Sequence, residues 1–156
     1  MPRDRAVLVL AGVLAALTAG APAAARQGPA GCINSRASVD SASAQGDDHS
    51  YGGLPSADGR FVAFSSRATN LAPGLLPGGQ EAFRHDRATG ETVVVSVRPD
   101  GSPSGSGGAA GISDDGRFVA FTSYSDAVHT GDPDGFADAF LRDVASGSTE
   151  PRRSSA

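Results

Sequence analysis

Two short stretches, Phe61-Val-Ala-Phe64 and Phe118-Val-Ala-Phe121, are apolar throughout and aromatic at both ends, with polar residues on either side. Runs this short are strand-sized, and an Asp-Gly pair just ahead of each readily takes the positive φ angles of a tight turn, so the pattern predicts buried central strands. Glu81 to Asp86 and Asp138 to Asp143 place Phe83 and Phe140 in further strands. These end in Asp86-Arg-Ala-Thr-Gly90 and Asp143-Val-Ala-Ser-Gly147, where an acidic side chain can bond the turn and glycine can take the left-handed position. Thr92-Val-Val-Val-Ser-Val97 supplies another strand, and a weaker leading one falls near Leu54 or Ile112.

The same elements occur twice. Ser56-Ala-Asp-Gly-Arg-Phe-Val-Ala-Phe-Ser-Ser66 returns as Ser113-Asp-Asp-Gly-Arg-Phe-Val-Ala-Phe-Thr-Ser123, identical at nine of eleven positions at an offset of 57. The same offset carries Glu81–Gly90 onto Asp138–Gly147, matching Ala, Phe, Asp, Ala and Gly. Two separate blocks sharing one offset define an array of one supersecondary unit, in copies spanning about 54–98 and 111–147. Four antiparallel strands per copy, repeated radially, describe a propeller blade. The expected fold is therefore all-β, with about two four-stranded antiparallel blades of an incomplete β-propeller behind an N-terminal signal helix.

The Ser-Ala-Asp-Gly-Arg-Phe-Val-Ala-Phe-Ser-Ser core, followed by Ala68-Thr-Asn-Leu-Ala-Pro-Gly74 and then Phe-x-x-Asp-x-x-Thr-Gly, resembles the TolB-type, WD-repeat-like β-propeller family over residues 50–147. That resemblance implies a propeller and no single function, because the family includes periplasmic accessory proteins, surface proteins and propeller domains attached to hydrolases. At the flanks, Arg36-Ala-Ser-Val39 resembles Val94-Val-Ser-Val97, which predicts an outer strand within the 26–49 segment. Pro151 and the two arginines after it are poor strand residues, so the second copy is expected to lack its outer strand and 148–156 to be an irregular tail. An N-terminal strand could then complete the last blade and close a ring.

Ahead of the repeat, Arg3 and Arg5 precede the apolar stretch Ala6 to Thr18, and Ala23-Ala24-Ala25 follow, the three parts of a secretory signal. The apolar stretch is short of the about 20 residues that span a bilayer. Cleavage after Ala25 would leave a mature chain from Arg26, secreted or periplasmic. Cys32 follows Ala30-Gly31 in a lipoprotein-like ending, with Pro29 in place of the usual Leu, and its state, free or lipidated, is open.

Composition narrows the partners. The net charge is −4, all thirteen basic residues are arginine and no basic run exceeds two, so the electrostatic footprint of a nucleic-acid binder is missing. A single cysteine cannot form an internal disulfide, and three scattered histidines match no zinc pattern.

The one candidate metal site is Thr130-Gly-Asp132-Pro-Asp134-Gly135-Phe-Ala-Asp138, where Asp132, Asp134 and Asp138 offer closely spaced carboxylates around a glycine, as Ca²⁺ requires. The alternative is a polar loop whose aspartates bond their own backbone. The first copy has Leu75, Pro77 and Glu81 at these positions. No catalytic residue is assigned. The Gly101–Gly108 serines lack the spacing of a nucleophile elbow and read as a flexible loop, His85 reads as a partly exposed strand residue, and Asp58, Asp115, Asp86 and Asp143 read as turn formers.

The residues favour an exported, non-enzymatic repeat module that contacts a protein or cell-envelope partner through its loops. Two alternatives are open: a Ca²⁺- or glycan-binding propeller assembled as a cyclic homo-oligomer of two-blade chains, and a fragment of a larger propeller or hydrolase accessory domain.

Overall fold

The computed structural model describes residues 34–129 and 135–151. The expected signal segment over residues 1–25 and Cys32 lie outside them. The described residues hold eight strands: β1 (Ser50–Pro55), β2 (Phe61–Ser66), β3 (Glu81–Asp86), β4 (Thr92–Val94), β5 (Gly107–Ile112), β6 (Phe118–Ser123), β7 (Asp138–Asp143) and β8 (Ser148–Pro151). They pair in chain order as two four-stranded antiparallel sheets, one for each copy of the sequence repeat. The two registers match: Phe64 stands opposite Phe83 and Phe121 opposite Phe140. The register shifts along the first strand of both sheets, at Tyr51/Leu54 and Ala109/Gly111.

Two expectations at the flanks are corrected. The second sheet has its outer strand: β8 pairs with β7, with Pro151 opposite Phe140. The proline is tolerated because β8 is last in its sheet, where a missing N–H costs no ladder bond on the open side. The fourth place is therefore filled from within the copy, and no vacancy awaits an N-terminal strand. Residues 36–39 form no strand, and Val39 makes only an isolated bridge to Gln45. The resemblance that suggested a strand has another cause, because Val97 makes the same bridge to Pro103. Each bridge closes a matching turn: Asp40 N–H donates to Ala44 O and Arg98 N–H to Ser102 O. The left-handed residue is Ser43 (φ 70°) in one turn and Gly101 (φ 84°) in the other.

Period-two alternation gives each sheet a bulky face and a small-residue face. On the first sheet the bulky face carries Phe64 and Phe83, stacked with centroids 5.4 Å apart and sealed by Ala68 and Leu71. Its small face carries Ala63 and Ala82, and against these pack Val119, Phe121 and Phe140 from the bulky face of the second sheet. The joint is tight. A Cβ on Gly107 would stand 2.1 Å from the Ser96 side chain, so β5 crosses there only as glycine.

Each copy enters its central strand through the same polar turn. Ser56 Oγ donates to Asp58 and accepts from Phe61 N–H, and Asp58 also accepts from Arg60 N–H. Arg60 then forks onto Asp86 at 3.0 and 2.7 Å. Ser113, Asp115, Arg117 and Asp143 repeat the arrangement, so in each copy the turn before the second strand is tied to the turn after the third. The recurrent aspartates are thus turn and ion-pair residues.

Candidate functional site

The segment joining the sheets, 95–106, begins by extending the first sheet, with Val95 N–H donating to Ala82 O, and then turns back. It is anchored on Glu81, a buried carboxylate at the start of β3. Glu81 Oε2 accepts from the Ser96 and Ser104 hydroxyls, the latter at 2.9 Å, and Oε1 accepts from Gly105 N–H. Ser96 Oγ accepts in turn from Ala82 N–H at 2.8 Å. The serine-rich stretch read as a flexible loop is therefore hydrogen-bonded into the joint, and Ser106 reaches Ser123 of the second sheet at 3.0 Å. What hid this in the sequence is that Glu81 is remote from its serines in the chain, so the pairing exists only after folding.

Beside Glu81 lies a cavity of about 240 Å³, lined by Leu75, Leu76, Arg98, Pro103 and Gly105 among others. Glu81 spends both oxygens on the joint, so the carboxylate acts here as a clamp on the connecting segment. This cavity adjoins the first copy's counterpart of the candidate calcium loop. In the second copy, Asp132 and Asp134 lie outside the described residues, while Asp138 begins β7 opposite Ser123, at the position Glu81 holds in β3. Among the described residues no group of three metal-ligating side chains occurs.

His85 is buried, not partly exposed as its sequence context suggested. Its Nδ1 pairs with Thr92 Oγ1 at 2.9 Å, Thr92 Oγ1 donates to Val39 O at 2.6 Å, and burial lowers its pKa. The residue is closed off by the 39–41 turn. His49 is exposed in the segment leading into β1, and His129 stands in the loop after β6.

Among the described residues, Asp86 and Asp143 are the most perturbed carboxylates. The Arg60 guanidinium beside Asp86 and the Arg117 guanidinium beside Asp143 hold both well below the usual carboxylate range. Arg84 is desolvated, which lowers its pKa, and it donates to Gly116 O across the joint at 2.9 Å while lying over the Phe61 ring.

No protein-family model matches the chain, and no curated protein sequence matches it. Two four-stranded antiparallel sheets, with the second stacked on the first through unlike faces, define it as an all-β repeat protein.

Proposed function

We propose that this chain is an exported, non-enzymatic repeat module of β-propeller type that works by docking, and that its first partner is a second copy of itself. One observation carries this reading. The small face of the first sheet, with Ala63, Ser65 and Ala82 buried, is the surface on which the second sheet sits. The repeat places the same face on the second sheet as Ala120, Thr122 and Ala139, and there Thr122 and Ala139 are exposed. A surface shaped to receive another sheet of this repeat is thus present twice and covered once.

The surface offered to it is the Ala68–Leu75 covering of the first sheet's bulky face, whose counterpart residue Val128 lies in the joint between the two sheets. Such unlike faces meeting in succession make a heterologous contact, which closes into a ring when the rotation permits. Three copies would bring about six blades and four copies about eight, both within the usual range of about four to eight. Leu141 stands where Arg84 clamps Gly116, so the contact between copies relies on apolar packing at that point. A protein or cell-envelope partner would then meet the loops at the rim of the assembly.

Native mass by light scattering after size separation, on the chain from Arg26, tests the reading. A discrete trimer or tetramer that Ala139→Arg reduces to monomer is the expected result, with the exposed-site change Ala88→Arg leaving it intact. A monomeric parent chain, or an oligomer indifferent to Ala139→Arg, would overturn it.

A further inference from the structure

Where the connecting segment leaves the first sheet it meets the outer strands of the second, and the two enclose a cavity of about 170 Å³ lined by Arg98, Val128, His129, Arg142 and Thr149 among others. Three of these side chains bear nitrogen donors, and no carboxylate is among the described residues lining the space. Arg98 Nε and His129 Nδ1 are buried and have no hydrogen-bond partner among the described residues. Buried nitrogens without partners are costly, so their presence asks for a ligand or water that completes them. Arg142 donates to Thr149 Oγ1 at 2.9 Å, which leaves most of its fork unspent. Its burial lowers its pKa, and the nearby Asp143 offsets this only in part while being engaged by Arg117.

The repeat supplies an internal comparison. On the first sheet the matching groove is lined by Asp40, Ser41, Leu71, Ala72 and Thr92 among others. The offset of 57 carries Leu71, Ala72 and Thr92 onto Val128, His129 and Thr149, and the matching turns carry Asp40 onto Arg98. His85, bonded to Thr92, likewise becomes Arg142, bonded to Thr149. The fold therefore builds this place with Asp40, Ala72 and His85 in one copy. Arg98, His129 and Arg142 stand there in the other, and only part of their donor capacity is used within the fold, by Arg142 on Thr149 and by Arg98 on Ser104 O at 3.4 Å.

We infer that the cavity binds a tetrahedral oxyanion of the phosphate or sulfate class. Donors from three elements, the segment after β4, the loop after β6 and strand β7, suit the several acceptor oxygens of a tetrahedral ion better than the two of a planar carboxylate. The volume is below the roughly 300 Å³ at which pockets begin to take whole small molecules, so the occupant is a free ion or the end group of something larger.

Calorimetric titration of the full chain with inorganic phosphate, sulfate, glycerol phosphate and acetate, at ionic strength held constant with chloride, tests this. Saturable one-to-one uptake of phosphate or sulfate, with acetate inert, is expected. Competition by glycerol phosphate assigns the site to an end group, and its failure to compete assigns it to the free ion. Arg98→Gln and Arg142→Gln should each weaken uptake by about tenfold, the loss of one charge-assisted contact, and the exposed control Arg67→Gln should not. Because Arg142 also bonds Thr149, circular dichroism checks the fold of that variant, and Arg98→Gln provides the test from a loop position. Absence of saturable uptake, or unchanged uptake by both folded variants, would overturn the assignment.

Discussion

Asp86 shows how much a single side chain does in this fold. It receives the Arg60 fork and the Ala88 N–H, and so ties the turn before β2 to the turn after β3. Its folded-state pKa lies below the unfolded value of about 3.9, as does that of Asp143. A depressed carboxylate stabilises the fold fully above the unfolded pKa and loses that contribution as pH falls toward the folded one. Melting temperature followed from about pH 5 down to about pH 2 should therefore drop steeply below about pH 4, and Arg60→Gln should flatten the drop. Glu81 is a second side chain on which several contacts converge. Replacing it with Ala leaves the Ser96, Ser104 and Gly105 donors without an acceptor, and a loss of about 1–3 kcal/mol in urea denaturation is expected. The turn role of Asp58 and Asp115 was legible in the sequence because it is local. The clamp role of Glu81 was not, since a carboxylate at the head of a strand carries no sign of distant serines.

Among the elements, β5 is the most constrained, because it lies across the first sheet and presents Gly107 to Ser96. Gly107→Ala should cost about 1–3 kcal/mol through overpacking, whereas Gly111→Ala, whose Cβ would meet Ala120 at 3.7 Å, should be tolerated. Chemical denaturation of the two variants side by side checks the contrast. Phe121, fully buried in the joint, should cost about 3–5 kcal/mol on replacement by Ala. Central strands were readable from short aromatic runs, and β1 and β5 from their position ahead of the turns. β8 was not, because strand propensity penalises Pro151 without knowing that its strand lies at an edge.

At the level of the whole molecule, the stacking of unlike faces is the property on which the proposed self-association rests, and Ala139→Arg is the change that tests it. The spacing of Asp132, Asp134 and Asp138 makes a separate prediction. Millimolar Ca²⁺ should raise the melting temperature of the chain, and Asp132→Asn together with Asp134→Asn should abolish the rise, as differential scanning calorimetry would register. The basic cavity at the joint makes a third, because occupancy by phosphate should also raise the melting temperature by mass action.

By itself the sequence determined the all-β class, the two copies, their central strands and the turns between them, because each depends on neighbours a few residues apart and the repeat reports them twice. Tertiary structure decided the rest: which face of each sheet is covered, that the second sheet completes itself, that Glu81 gathers the connecting segment, and that Arg98, His129 and Arg142 share one cavity. The physical reason is distance along the chain. Burial and charge convergence arise between residues tens of positions apart, and only the stacking of one sheet on the other brings them within reach.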